Sequence, residues 1–320
     1  MGNNSFVLVT GATGFIGRAV CAALLTQGFA VRAVIRNDSI TKESIPASEV
    51  AVIDDINSNT DWSNLLTNVD TVIHLAAWNN AVQVLPVNPL VACREINVYG
   101  SERLAKMAAA SGVRRFIYMS TVKVHGEGDA HAYTEEDEPR PQNLYVGSKW
   151  QAEQTLQIIA GQTDMKLVIL RPPLVYGPGV KENFLRLIKL VDKQIPLPLA
   201  GIKNKRSIIY VGNLVDAVIK CINCAEAGEK TFLLSDGENV STKELIGMIA
   251  AALKKKPYLF YLPESLLKLA GKITGHEAEI NRLCNSLYAD ISKIKTVLEW
   301  QPPFSLAEGI KETINWYRNK

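Results

Sequence analysis

The segment Tyr145 to Lys149 places a tyrosine four positions ahead of a lysine. On a helix, residues at this spacing lie on one face, so the phenol and the ammonium are expected to be neighbours. A phenol ordinarily has a pKa of about 10, and a fixed cation beside it stabilises the phenolate. We therefore expect Lys149 to lower the pKa of Tyr145 and Tyr145 to transfer protons. The pattern is common, and an exposed aromatic beside a solvated lysine is the simpler alternative.

A glycine-rich turn near the N-terminus gives this pair a context. The apolar run Val7 to Thr10 reads as a short strand, and the stretch Arg18 to Leu25 reads as a helix. Between them, Gly11 suits a tight turn, Gly14 a close approach to a pyrophosphate, and Gly17 the packing of helix against strand. The free amides of a helix N-terminus would face the phosphates. This arrangement predicts a dinucleotide site.

Alternating strand-like and helix-like stretches must position these residues. The alternation, with apolar strands, favours a parallel sheet covered by helices on both faces, and hence an α/β, doubly wound Rossmann fold. The helix before Phe116 is predicted over Cys93 to Ala110. The strands are predicted at Phe6 to Thr10, Ala30 to Ile35, Val50 to Ile53, Thr71 to Leu75, Arg115 to Met119 and Leu167 to Leu170.

After Arg171 the composition changes to proline- and glycine-rich loops. We predict a dinucleotide-binding domain over residues 1–172 and a smaller C-terminal α+β substrate domain over 173–320, with segments near 207–235 returning to the sheet. The further elements are predicted as strands at Ser207 to Val211 and Thr231 to Leu234, and as helices at Leu214 to Ala227, Thr242 to Leu253 and Leu306 to Tyr317.

Composition excludes several classes of function. The 320 residues are 47% hydrophobic and carry a formal charge of only +3, with dispersed basic residues, so we expect no nucleic-acid partner. We also expect no membrane partner, because no run approaches the roughly 18 apolar residues of a spanning helix. Five cysteines indicate a reducing compartment, the cytoplasm. Cys221 and Cys224 lie in a predicted helix without clustered histidines, so core packing is favoured over metal binding.

The order and spacing of several motifs resemble the extended short-chain dehydrogenase/reductase family, the nucleotide-sugar epimerase, dehydratase and reductase group. The similarity covers nearly the whole chain. The motifs are Thr10 to Gly17, Asp55-Ile56, Val72 to Ala77, Asn97 to Gly100, Ser120-Thr121, Tyr145 to Lys149, Arg171-Pro172 and Tyr176 to Gly179.

The resemblance implies a role for each matched residue. Thr121 would be the hydroxyl partner of Tyr145 and Lys149, with the adjacent Ser120 as the fallback; neighbouring strand residues point to opposite faces, which favours Thr121. Asn97 would support the sheet and active site. The implied cofactor contacts are Gly11, Gly14, Phe15, Ile16, Gly17, Asp55, Ile56, Leu75, Ala76, Ala77, Asn97, Tyr145 and Lys149. Ile56 and the alanines could instead be plain core, and Asn97 a polar helix position.

Two pairs of positions distinguish among the chemistries of the family. The family resemblance implies that an Asp-Glu pair follows the catalytic threonine in the dehydratases. Val122 and Lys123 stand at those two positions here, so we reject dehydration. Ile35 stands where NAD-binding epimerases have an acidic residue, and Arg36 follows it. This resembles NADPH-dependent reductases, in which an arginine meets the 2′-phosphate. We therefore favour NADP(H) and a reductase, with NAD(H) possible. Arg36 could also be an ordinary surface residue.

The C-terminal half resembles nucleotide-diphosphate sugar sites. The resemblance places Asn183, Arg206 and Arg282 near a uridine diphosphate, although each arginine could be a surface ion-pair residue. The tail from Ser286 to Pro303 resembles the subgroup that reduces UDP-4-keto-6-deoxy-N-acetylhexosamines in surface-polysaccharide pathways. A 4-epimerase with tightly bound NAD and a non-catalytic cofactor sensor are the alternatives. The loops at 79–87 and Val180 to Phe184 would select the sugar.

Family members commonly form homodimers through the helices before and within the tyrosine motif. In this chain those helices are about Asn97 to Ala110 and Ser148 to Ile159. By analogy we expect a homodimer.

Overall fold

A seven-stranded parallel sheet forms the centre of the molecule. The structure is a computed structural model that describes residues 6–36, 45–78, 88–128 and 131–320. The strand order is β3-β2-β1-β4-β5-β6-β9, and every pairing is parallel. The strands are β1 (Phe6–Thr10), β2 (Ala30–Arg36), β3 (Glu49–Ile53), β4 (Val69–His74), β5 (Arg115–Met119), β6 (Lys166–Arg171) and β9 (Lys230–Leu233).

Helices cover both faces of this sheet, because its apolar strands expose side chains on either side. On one face lie α1 (Phe15–Thr26) and α6 (Val211–Asn223), and on the other lie α3 (Ser101–Ala110) and α4 (Leu144–Gly161). Leu24 and Leu214 belong to the first core, and Leu104 and Leu156 to the second, all fully buried. The predicted doubly wound Rossmann fold is confirmed.

The C-terminal part adds a small sheet and further helices. β8 (Arg206–Tyr210) pairs in parallel with β7 (Leu174–Tyr176) and antiparallel with β10 (Asn239–Val240). The predicted return of residues 207–235 to the large sheet is thus divided, since only β9 joins it. The domain boundary at 172 stays a prediction. The helices are α5 (Glu182–Asp192), α7 (Thr242–Ala252), α8 (Glu264–Thr274), α9 (Glu277–Cys284), α10 (Ser292–Leu298) and α11 (Leu306–Arg318).

One helix predicted as continuous is built from three pieces. The stretch expected over Cys93 to Ala110 consists of α2 (Pro89–Arg94), a π-helical segment (Glu95–Gly100) and α3. A π-helical segment shifts the phase of a helix and commonly marks a functional site. Here it carries Asn97, which explains why the interruption matters for the site.

In the described part of the chain, no helix is both long and apolar enough to cross a bilayer.

The predicted helix over Leu214 to Ala227 is shorter than expected, because α6 ends at Asn223 and Cys224 has an extended backbone. Cys221 is fully buried, in keeping with a packing role.

Candidate active site

A cleft of about 670 Å³ opens at the carboxyl ends of β1 and β4. At this point the strand order reverses, and ligands of open α/β sheets bind there. Of the predicted site residues, Arg206, Arg282 and Asn97 are not among the described residues that line it. Those that do are Gly11, Gly14, Phe15, Ile16, Gly17, Arg36, Asp55, Ile56, Leu75, Ala76, Ala77, Thr121, Tyr145, Lys149 and Asn183.

The glycine-rich turn forms the floor of this cleft. Gly11 has a φ of +69°, which favours glycine, and its carbonyl accepts a hydrogen bond of 3.0 Å from the Gly14 amide. A Cβ atom on Gly17 would lie 2.2 Å from the same carbonyl. Gly14 caps α1 without a side chain, so the first amides of the helix remain available to an anion. These features fit the pyrophosphate of a dinucleotide.

Tyr145 and Lys149 lie in the first turns of α4, which begins after Asn143. The Asn143 side chain accepts a hydrogen bond of 3.0 Å from the Val146 amide and caps the helix. Lys149 is buried and its Nζ atom lies 4.0 Å from the centroid of the Tyr118 ring. Tyr118 was not singled out in the sequence, where it appears only as an apolar residue of β5.

The predicted effect on the tyrosine differs from the sequence-based expectation. Burial raises the pKa of Tyr145 to about 12, and the neighbouring Cys93 and Glu182 raise it further. Burial also lowers the pKa of Lys149 to about 7. In the protein alone, therefore, the expected lowering of the tyrosine pKa by Lys149 is wrong, because burial raises this pKa.

The protein residues nevertheless fit a nicotinamide cofactor in this cleft. When bound, the oxidised nicotinamide ring accepts a hydride and carries a positive charge, and the reduced ring donates the hydride. Glycine amides, a hydrophobic lining and buried polar groups at one end are the features that such a ligand requires. Tyr145 keeps its proton at neutral pH in this environment, which suits a proton donor.

Two adjacent residues with hydroxyl side chains, Ser120 and Thr121, line the same cleft. The Thr121 Oγ1 atom accepts a hydrogen bond of 3.3 Å from the Lys123 amide, which leaves its own proton free to donate. Ser120 also lines the cleft, although the sequence predicted that it would point to the opposite face. Its Oγ atom is buried and, within the described residues, has no hydrogen-bond partner. The Thr121 hydroxyl can therefore serve a substrate oxygen, whereas the Ser120 Oγ atom is buried.

The positions after Thr121 contain no carboxylate. Val122 is buried, and Lys123 forms an ion pair of 2.9 Å with Glu127. Neither side chain can act as the acid or base that removal of water requires.

Asn97 positions the site without lining the cleft. Its Nδ2 atom donates to the Trp78 carbonyl at 3.0 Å and to Ser148 Oγ at 2.9 Å, and its Oδ1 atom accepts from the Trp78 amide at 2.7 Å. Asn97 therefore joins the segment after β4 to the helix that carries Tyr145, as the resemblance implied for its supporting role.

A buried histidine links this segment to the glycine-rich turn. His74 Nδ1 lies 2.7 Å from Thr10 Oγ1, and its Nε2 lies 2.8 Å from Ser101 Oγ. Because Ser101 donates its own proton to the Asn97 carbonyl, Nε2 of the histidine carries the hydrogen. Burial lowers the pKa of His74 to about 3, so the ring is neutral. His74 was quoted only as part of a motif, and its partners lie too far along the chain to be read from sequence.

At the end of the cleft beside β2, Arg36 is the last residue of that strand, and its Nη1 lies 3.9 Å from Asp55 Oδ1. Both side chains are about half exposed and line the cleft. Asp55 Oδ1 also accepts a hydrogen bond from the Ile56 amide. Ile35, at the position of the expected acidic residue, is buried.

The predicted arginine pair has a different arrangement from a clamp. The Arg206 Nη1 atom donates to the carbonyls of Arg282 and Asn285, at 2.7 and 3.0 Å, and so holds the end of α9. Arg282 is exposed. Asn183 lies at the start of α5 and lines the cleft. The assignment of the two arginines to a diphosphate stays a prediction.

The fold and the cleft define a Rossmann-type oxidoreductase site for a nicotinamide dinucleotide. Residues 7–234 match the NAD dependent epimerase/dehydratase family, and the chain belongs to that family.

Three curated relatives cover almost the whole chain. A UDP-glucose 4-epimerase of Vibrio cholerae is 40% identical over 96% of this chain and 94% of its own length. An N-acetyl-alpha-D-glucosaminyl-diphospho-ditrans,octacis-undecaprenol 4-epimerase of Escherichia coli O157:H7 is 26% identical over 98% and 95%. A dTDP-4-dehydro-6-deoxyglucose reductase of Escherichia coli is 26% identical over 98% and 98%.

A solved structure shares the architecture. MoeE5 in complex with UDP-glucuronic acid and NAD superimposes with a TM-score of 0.76 at 26% identity, covering 98% of this chain and 99% of that one. The family, the fold and a nicotinamide cofactor site are therefore established for this chain.

Proposed function

We propose that this protein reduces the C4 ketone of a UDP-linked 4-keto-6-deoxy-N-acetylhexosamine with NADPH, in surface-polysaccharide synthesis in the cytoplasm. The observation that carries the proposal is Arg36 at the end of β2, on the wall of the adenosine end of the cleft. A guanidinium there can bind a 2′-phosphate, and Ile35 cannot accept from ribose hydroxyls as a carboxylate would.

Three residues, Tyr145, Thr121 and Lys149, would carry out the reaction at the end of the cleft opposite Arg36. Tyr145 would donate its proton to the C4 oxygen as the hydride arrives, and its raised pKa keeps that proton available. Thr121 would donate a hydrogen bond to the same oxygen and stabilise its developing charge. Lys149 would bind the ribose hydroxyls and supply positive charge beside the phenol. These roles follow the resemblance, and the shared cleft supports them.

A uridine diphosphate is the proposed nucleotide part of the substrate, and it stays attached to the sugar throughout the reaction. The UDP-sugar complex of MoeE5 supports this choice. The name of one relative describes a sugar whose diphosphate is linked to undecaprenol, a lipid, in place of a nucleoside. We favour the nucleoside because Asn183, which lines the cleft beside Lys181 and Glu182, provides an amide that can hydrogen-bond to a uracil ring.

The second candidate is a UDP-hexose 4-epimerase that retains NAD. The 40% identity to a relative of that name over 96% of the chain favours it, and so does the NAD in the related complex. In this case Tyr145 would alternate between base and acid, and no coenzyme would be consumed.

Two assays with the purified protein separate the candidates. Incubation with NADPH and the UDP-4-keto sugar is expected to oxidise NADPH and so lower the absorbance at 340 nm. Incubation with UDP-N-acetylglucosamine or UDP-glucose without added coenzyme is expected to leave the sugar unchanged. Interconversion of the C4 epimers without coenzyme, with no loss of NADPH in the first assay, would establish the epimerase. Light scattering tests the proposed homodimer.

A further inference from the structure

A group of large apolar side chains lies exposed on the C-terminal part, away from the cleft. We call it the α8 surface; it comprises the segment before α8 and the outward positions of that helix. The exposed fractions are 58% for Tyr258, 48% for Phe260, 71% for Tyr261, 50% for Leu266, 52% for Leu269 and 78% for Ile273. Exposed apolar groups of this size commonly mark an interaction surface.

Packing within the protein does not require this apolar face. α8 buries Leu267 and Gly271 toward α9, where a Cβ on Gly271 would lie 2.7 Å from Ile280 Cδ1. Leu266, Leu269 and Ile273 follow one another at intervals of three and four positions, so they share a different face of the helix, which points outward. α8 therefore has one apolar face for the protein and a second that is exposed.

The charge around the α8 surface is positive. Between residues 254 and 279 the chain has five lysines and three acidic residues, Glu264, Glu277 and Glu279. Lys255 pairs with Asp192, Lys268 with Glu264 and Lys272 with Glu277. Lys254 and Lys256 are exposed, and no described carboxylate forms an ion pair with either of them. A basic rim beside exposed aromatic and aliphatic side chains is complementary to an anionic, apolar-cored surface.

We propose that the α8 surface docks on an anionic lipid bilayer, with α8 lying in the plane of the headgroups. Tyr258 and Tyr261 present the amphipathic rings that suit the interface, and Leu266, Leu269 and Ile273 reach toward the acyl chains. The lysines contact the headgroups. The sequence predicted no membrane partner because it contains no apolar run long enough to span a bilayer. A sequence alone does not show which apolar residues are exposed on the folded surface. The predicted dimer helices α3 and α4 are different elements, so docking leaves them free.

The experiment is flotation of the full-length protein with two kinds of vesicle, phosphatidylcholine alone and phosphatidylcholine with about a third phosphatidylglycerol. We expect flotation with the anionic vesicles only, weakened as salt is raised. The variant Ile273→Gln should lower the vesicle partition coefficient about tenfold. The variant Lys254→Gln/Lys256→Gln should lower it by about tenfold or more on anionic vesicles.

Matched control variants distinguish specific docking from nonspecific adsorption to vesicles. Val52→Gln alters a valine that is 39% exposed on the edge strand β3, outside the predicted dimer helices, and Lys243→Gln/Lys311→Gln removes two exposed lysines elsewhere. Both controls should bind vesicles as the parent does. The proposal is overturned by equal binding to both vesicle types, by equal losses in test and control variants, or by light scattering that shows Ile273→Gln dissociating an oligomer.

Reductase activity on the water-soluble UDP-sugar, measured without vesicles, should be the same in all four variants. Failure of the proposed reaction would leave the flotation result intact, and failure of flotation would leave the reaction intact.

Discussion

Lys149 places its Nζ atom 4.0 Å from the centroid of the Tyr118 ring, and both side chains are buried. An ammonium on the face of an aromatic ring is attracted by the ring's quadrupole. That attraction does not replace the lost hydration, and burial lowers the pKa of Lys149 to about 7. The Lys149 ammonium is thus held at a cost to folding, and that cost depends on pH.

The free energy of unfolding should rise as pH rises from about 7 toward the ordinary lysine pKa of 10.5. In this window Lys149 is protonated in the unfolded chain and neutral in the folded chain. The unfolded state therefore binds more protons, and its free energy rises relative to that of the folded state as pH increases. Lys149→Met removes this dependence and should stabilise the cofactor-free protein at pH 6 by on the order of 3 kcal/mol.

Urea unfolding at pH 6, 7.5 and 9 measures both effects. The control is Lys106→Met, which alters an exposed lysine paired with Glu102 and should leave the pH dependence unchanged. Parallel pH curves for the parent and Lys149→Met would show that Lys149 is not the buried titrating group.

Tyr145→Phe should lower turnover by about 10²- to 10⁴-fold, because it removes the proton donor and keeps the ring. Coenzyme and substrate dissociation constants should stay within about threefold, since the phenol hydroxyl contributes chiefly in the transition state. Tyr258→Phe, at a site 58% exposed and outside the cleft, is the control. Retained turnover in Tyr145→Phe would contradict the enzymatic role.

Arg36→Ala should raise the KM for NADPH about 10- to 100-fold and change that for NADH by less than about twofold. The guanidinium lies at the end of β2 beside Asp55, where only the coenzyme with a 2′-phosphate can use it. Arg36→Lys should give an intermediate value. Equal changes for both coenzymes would make Arg36 an ordinary surface residue and favour the NAD-retaining epimerase.

The sequence predicted those parts of the molecule that depend on local order. Gly11, Gly14 and Gly17 have a spacing that only a strand-turn-helix can use, and the apolar runs from Phe6 to Leu170 specify the sheet. The spacing of Tyr145 and Lys149 predicted that they share one helix face, and both residues line the cleft.

Other properties depend on contacts between distant residues. The desolvation that raises the pKa of Tyr145 comes from surrounding residues that a motif does not specify. Arg206 could be read as a phosphate ligand or a surface residue, and its partners in the α9 segment lie about 80 positions away. The π-helical segment at Asn97 is equally hidden, since its sequence is that of an ordinary helix.

Glu153→Gln should lower the free energy of unfolding by about 3–5 kcal/mol, because it leaves a buried guanidinium without its counter-ion. Arg171 Nε donates to Glu153 Oε1 at 3.1 Å, and Arg171 Nη1 donates to His125 Nε2 at 2.9 Å. Burial and this guanidinium lower the pKa of His125 to about 4, so the ring is a neutral acceptor.

The matched change is Glu102→Gln, in an exposed pair with Lys106. It should cost less than about 1 kcal/mol. Similar losses for the two variants, measured by urea unfolding, would contradict the importance of the buried pair.

Gly17→Ala should abolish coenzyme binding, because the added Cβ would lie 2.2 Å from the Gly11 carbonyl and 2.8 Å from the Ala12 Cα atom. Both neighbours are backbone, so relief requires the turn itself to move, and the amides that face the pyrophosphate move with it. Gly247→Ala, on α7, meets no atom within 4 Å. It should instead stabilise the fold by about 0.5–1 kcal/mol through the better helix propensity of alanine. Fluorescence titration with NADPH and NADH, together with thermal unfolding, measures both. Normal coenzyme affinity in Gly17→Ala would show that the turn can open without loss of its function, and the pyrophosphate would then have to be bound elsewhere in the cleft.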